Sequence, residues 1–278
     1  MSMKTLRFLF ALFLIFTAFS VVPARAGIAV SPMTVMISGH QRYADVTVIN
    51  TGDSVETYEM AWRHMRMQEK TGNYDNVETS PDGDFDLAAH LVFSPRRVTL
   101  APHAAQKIRM ALRLDGAVPP SGDYRAHFLL QQTSLPDSAA DDDGNEIKDN
   151  KVSVRILVGF SVPVVYRVGD GRAKAVIGDV ATRINPDTHA IELTVPVTRE
   201  EGPYGIQGTL GVTYESPDGS RRYIGGLNNA NIFREIRERD FTLPLKVKAL
   251  SGGKLHIVYA DANDEKTIYA EKWIPVGK

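Results

Sequence analysis

Seven histidines, at positions 40, 64, 90, 103, 127, 189 and 256, are the side chains best able to hold a metal ion or carry a proton, yet no two stand at a ligand spacing such as H-x-x-x-H or H-x-H. The chain has no cysteine, which removes thiol catalysis, thiolate metal sites and a disulfide framework together. The glycine-rich stretch 202–208 follows no strand-to-helix unit, so a turn explains it better than a phosphate loop. Serines are abundant, but none sits in a G-x-S-x-G elbow. No enzyme, cofactor or metal is expected. What remains is the chemistry of recognition. Val152, Val154, Ile156, Val158, Phe160 and Val162 alternate without a break with Ser153, Arg155, Leu157, Gly159, Ser161 and Pro163, so on one strand they form a long apolar ridge. Such a ridge has two readings. It packs inside a closed core, or it belongs to an edge strand that its own domain covers only in part, which invites another chain to pair with it.

The elements that must position this ridge read as strands. Short runs of β-branched and aromatic residues alternate with polar ones over 45–50, 56–60, 107–112, 124–131 and 152–162, and again over 174–184, 190–197, 208–214, 240–247, 254–259 and 267–275. Turn residues separate them and no amphipathic helix of ordinary length stands out, a pattern of sandwiches or barrels. The turn-rich Val168-Gly-Asp-Gly-Arg172 divides the chain into similar halves and is the expected domain boundary. The stretch 134–150 carries Pro136, five aspartates and one glutamate, and reads as a mobile loop just ahead of the ridge. A further polar stretch, 68–86, reads as a long loop or loose hairpin.

Residues 1–26 have the form of a secretory signal peptide: Lys4 and Arg7, an apolar run over 8–22, then Ala24 and Ala26 at the positions a signal peptidase reads. The run is shorter than the roughly 20 residues of a spanning helix. Cleavage after Ala26 would leave an exported chain of 252 residues with no integral membrane segment, enough for two domains. Without Lys4, Arg7 and Arg25 that chain has 29 basic and 33 acidic residues, a balance of −4 that speaks against a nucleic-acid partner.

Several blocks in order carry a family resemblance: Ile28-Ala-Val-Ser-Pro32, Ala44-Asp-Val-Thr-Val-Ile-Asn50, Phe93-Ser-Pro-Arg-Arg-Val-Thr-Leu-Ala-Pro102, Lys107-Ile-Arg109, Gly122-Asp-Tyr-Arg-Ala-His127 and Val162-Pro-Val-Val-Tyr-Arg167. Together they resemble the first domain of the periplasmic chaperones of the chaperone-usher pilus pathway, and the form of the last two is similar to the archaic branch. The second half resembles the family's second domain more loosely, through Leu193 to Arg199 and Leu255 to Tyr259. The resemblance implies an all-β protein of two immunoglobulin-like sandwiches set at an angle, residues 27–168 and 172–278, with a subunit-capping strand over 152–162. It implies a periplasmic location, pilus or fimbrial subunits as clients and an outer-membrane usher as the second partner.

By the same resemblance, the ridge strand would pair with a subunit's edge while its apolar row fills the subunit's open groove, until another subunit's strand replaces it. The better-known members hold the subunit's terminal carboxylate with an arginine in the first strand and a lysine before the domain boundary. Thr34 and Pro163 stand at those places here. A buried carboxylate needs a cation, and the candidates are Arg125, with Arg109 and Arg167 behind it. The alternative is a periplasmic immunoglobulin-like module that binds carbohydrate or peptide without a chaperone role. An aromatic-lined pocket would mark it, and only two tryptophans, Trp62 and Trp273, are present.

Overall fold

The computed structural model describes residues 27–83, 85–116, 118–133 and 159–277. The presumptive leader, the acidic stretch 134–150 and the ridge residues Val152, Val154, Ile156 and Val158 lie outside them. Alternation becomes a strand wherever one face finds apolar cover. In β3 (Tyr43–Asn50), Val46, Val48 and Asn50 are buried while Asp45, Thr47 and Ile49 stay partly open. With β1 (Ile28–Ser31), β6 (Leu91–Ser94) and β8 (Ala105–Leu112) it forms a sheet in the order β1-β3-β8-β6. The facing sheet runs β2 (Val35–Ser38), β10 (Gly159–Val168), β9 (Gly122–Gln132), β4 (Glu56–Met67), β5 (Tyr74–Val77), with β7 (Arg97–Leu100) also on β4. Ile37, Val46, Ile108, Met110, Phe128 and Val164 are fully buried between the two sheets.

A second sandwich follows. One sheet has β13 (Ile191–Arg199) at its centre, with β11 (Ala175–Ile177) and β12 (Ala181–Ile184) on one side and β16 (Glu238–Pro244) on the other. The other is antiparallel, ordered β15 (Arg221–Leu227), β14 (Gly208–Glu215), β17 (Lys254–Asp261), β18 (Ile268–Pro275). Leu193, Val195, Val212, Ile224, Phe241 and Ile257 fill its core. The protein is therefore all-β, built of two immunoglobulin-like sandwiches. Helix is confined, among the described residues, to a single 3-10 turn, Leu87–His90, whose first turn is capped by Asp86.

The two sandwiches share apolar surface. Met67, at the end of β4, and Val165, on β10, both pack in the second core although their strands belong to the first sandwich. β9 is consequently buried on both faces. Tyr124, Ala126, Phe128 and Leu130 face the first core. The alternate residues Asp123, Arg125 and His127 are buried as well.

Candidate functional site

β10 pairs with β9 along its whole length, from Gly159 opposite Gln131 to Val168 opposite Gly122. Its other side meets β2 only from Val164 to Arg167. Between Gly159 and Pro163 that side has no strand partner among the described residues, and Pro163, which lacks an amide donor, stands where the second ladder begins. Phe160, Val162, Val164 and Tyr166 point into the first core, and Val162 is 0% exposed there. Phe160 is only partly buried. Ser161 points the other way, its Oγ 2.8 Å from His127 Nδ1 and 3.2 Å from Met65 Sδ. One expectation is corrected by this placement: Val162 is part of the sandwich's own core and has no surface to offer a groove in another chain.

The polar face of β9 lies against the second sandwich. Arg125 donates through Nη2 to Glu235 Oε1 at 2.5 Å and to the Met65 carbonyl at 2.6 Å, with its guanidinium 4.0 Å from the centre of the Phe233 ring. Both partners of this ion pair are almost fully covered. Glu235 Oε1 also accepts from the Met67 amide at 3.0 Å. Asp123 takes a two-pronged bond from Arg167, Nε to Oδ1 at 2.7 Å and Nη2 to Oδ2 at 2.6 Å, and accepts from the Gly205 amide at 2.9 Å. Asp82 Oδ2 accepts from the Arg125 amide at 2.5 Å. Burial pushes the Asp82 carboxyl up to about 6, against the pull of the Arg125 cation. Burial, and then the charge of Arg125, push the His127 imidazole down to about 3.

The preferred carboxylate anchor is therefore corrected. Arg125 is closed in between the two sandwiches with Glu235 as its counter-charge, because the second sandwich covers the face that carries it. Arg167 is likewise engaged, to Asp123. Arg109 differs: its side chain is 68% exposed and meets Asp45 on the open face of the first sandwich, Nε to Oδ1 at 3.0 Å. That hydrogen bond holds the Asp45 carboxyl below its ordinary value.

The polar stretch 68–86 folds into the β4–β5 hairpin, and its tip is fixed to the second sandwich. Glu69 Oε1 accepts from the amides of Arg237 and Glu238 at 3.0 and 2.8 Å. The Lys70 amide donates to the Glu238 carbonyl at 2.9 Å, and the Lys70 carbonyl accepts from the Asp240 amide at 2.8 Å. The hairpin thus adds one parallel rung to β16.

Beside β2 a cleft of about 780 Å³ separates the sandwiches, bordered by Met33, Thr34, Gln207, Asn229 and Asn231. Thr34 is tied across it, its Oγ1 accepting from Asn231 Nδ2 at 3.1 Å. Asp45 borders both this cleft and a shallower depression that contains Arg109. Among the described residues no group of three or more histidine, cysteine or acidic side chains could hold a metal ion. No helix among them is long and apolar enough to cross a membrane.

No family model matches the chain, and no curated protein matches it. Solved structures do. The YadV chaperone is similar with a TM-score of 0.40 and 13% identity, over 90% of this chain and 99% of that one. The pre-assembly complex of the CsuC chaperone and CsuE tip subunit, from the archaic chaperone-usher Csu pili of Acinetobacter baumannii, gives 0.41 and 12% over 91% and 99%. The Salmonella enterica SafA pilin in complex with the SafB chaperone gives 0.43 and 12% over 90% and 96%. Likeness this distant assigns no activity.

Proposed function

We propose that the chain is a periplasmic chaperone that holds pilus or fimbrial subunits by lending them a strand and passes them to an outer-membrane usher. The observation that carries this reading is the open side of β10 from Gly159 to Pro163, a row of unpaired main-chain groups that a client strand can extend. The apolar residues that precede it in phase, Val154, Ile156 and Val158, together with the partly buried Phe160, supply the side chains for the client's groove. Each is worth roughly 1.5–3 kcal/mol when fully buried, or about 6–12 kcal/mol gross for four before ordering costs. Phe160 contributes less than the others, being partly covered at home. No cofactor or nucleotide enters the scheme, since one strand replaces another. Arg109 is the cation proposed for the client's terminal carboxylate, because it is exposed and its only burden is a surface pair with Asp45.

The experiment pairs two measurements on Ile156→Asp: the melting temperature of the chaperone and recovery of a co-expressed pilus subunit from periplasm. Capture should fail while the fold holds, since a charge carried into an apolar groove costs several kcal/mol. A variant that captures normally, or whose own fold collapses, overturns the assignment of the ridge to a client. Arg109→Ala in the same assay should leave stability unchanged and reduce recovery.

A further inference from the structure

A sheet face exposed to water ordinarily carries Thr, Lys or Glu. The face of the β15-β14-β17-β18 sheet opposite its core departs from this. One rung crosses all four strands as Tyr223, Thr213, His256 and Trp273, each opposite the next. Three of the four are rings. Tyr223 is 58% and Trp273 42% exposed, and the row spans three interstrand gaps, roughly 14 Å. His256 stacks on Trp273 with centroids 4.1 Å apart and planes at 6°, and its Nε2 lies 2.9 Å from Glu271 Oε2.

The Tyr223 ring is held by two missing side chains. A Cβ on Gly226 would come within 1.9 Å of the Tyr223 hydroxyl, and one on Gly211 within 3.6 Å of its Cε2. Tyr223 therefore reaches over the next rung, where Gly226 and Gly211 oppose each other. Glycine inside a strand weakens it and marks a close approach, so this placement of an exposed ring comes at the cost of strand stability.

Charge chooses the ligand. Arg221 bonds to Glu215, Nε to Oε2 at 2.6 Å, and its guanidinium is 5.5 Å from the centre of the Trp273 ring. Arg221 with Glu215, and His256 with Glu271, answer one another on the face itself. Lys254 borders the depression of about 440 Å³ beside Trp273. A polyanion would need a basic stripe, and a cationic peptide an unpaired acidic one; neither is offered here. Aromatic faces flanked by hydrogen-bonding groups fixed in ion pairs suit a ring that is apolar on its flat side and carries hydroxyls at its edge. We infer that this face of the second sandwich is a binding platform for a neutral oligosaccharide, with Tyr223 and Trp273 as stacking surfaces and Arg221 and Glu215 as hydroxyl partners. The platform is independent of the open side of β10, so either assignment can fail without the other.

The test applies the full mature chain to cellotetraose, chitotetraose, maltotetraose and mannotetraose at high salt, following the indole N–H signals of its two tryptophans. The Trp273 signal should shift with at least one tetrasaccharide while that of Trp62, bonded to the Leu91 carbonyl at 3.0 Å, stays in place. Removing a stacking ring with Trp273→Ala or Tyr223→Ala should weaken binding about tenfold or more, with melting temperatures unchanged because both rings are exposed. Absence of any shift with all four sugars overturns the inference. So does affinity that survives both substitutions.

Discussion

Asp82 and His127 flank Arg125 and should oppose each other in the pH dependence of stability. Asp82 ordinarily titrates at 3.8 and is raised to about 6 in the fold. Its contribution is therefore complete below 3.8 and is lost as pH rises through 6, about 3 kcal/mol in all. His127 is lowered from 6.5 to about 3. Its contribution is complete above 6.5 and is lost as pH falls through 3, about 5 kcal/mol in all. Between pH 6 and pH 4 the histidine term falls by about 3 kcal/mol while the carboxylate term rises by about the same amount, so the pair leaves a nearly flat profile. Asp82→Asn should remove the compensation, and its unfolding free energy should drop by about 3 kcal/mol relative to wild type between pH 6 and pH 4. His127→Gln should gain a similar amount over the same interval. Urea unfolding at constant ionic strength reads all three proteins, and every other titrating group is common to them. Profiles that run parallel for wild type and both variants would refute the reasoning, because the two groups would then keep their ordinary titration in the fold.

The buried ion pair makes a separate claim: Arg125→Met leaves Glu235 without its cation and should cost about 3–5 kcal/mol in urea unfolding, whereas Arg125→Met with Glu235→Leu should recover most of it. A double variant no better than the single one would refute the pairing as the source. At the hairpin tip, Glu69→Ala removes the acceptor of two β16 amides and should cost roughly 1–3 kcal/mol, with hydrogen exchange at Arg237 and Glu238 accelerated ahead of the β16 core.

Strands were legible because each long one alternates, and the alternation survives in the burial of β3, β13 and β14. Misreadings have local causes. The run 174–184 reads as one strand but forms two, β11 and β12, both on β13. The interruption lies beside Pro196, which has no amide to donate, and the Gly178 amide turns in to the Pro196 carbonyl at 2.8 Å. The hairpin in 68–86 was hidden because it is held by main-chain rungs and one carboxylate, which leave no trace in hydropathy. The anchor was misjudged for a different reason. Gly122-Asp-Tyr-Arg-Ala-His127 shows by its period that Asp123, Arg125 and His127 share a face, but a period cannot say whether that face meets water or protein. Glu235 and Phe233 decide it, from more than a hundred residues along the chain. The ridge follows the same logic. Where β10 has strands on both sides, its apolar row is closed core, as at Val164 and Tyr166. From Gly159 to Pro163 it has a strand on one side only, and Phe160 is left partly uncovered. One uninterrupted pattern thus passes from core to edge, and the change is set by where β2 starts, four residues past the beginning of the first sandwich's opening strand and its cis Ser31-Pro32 bond.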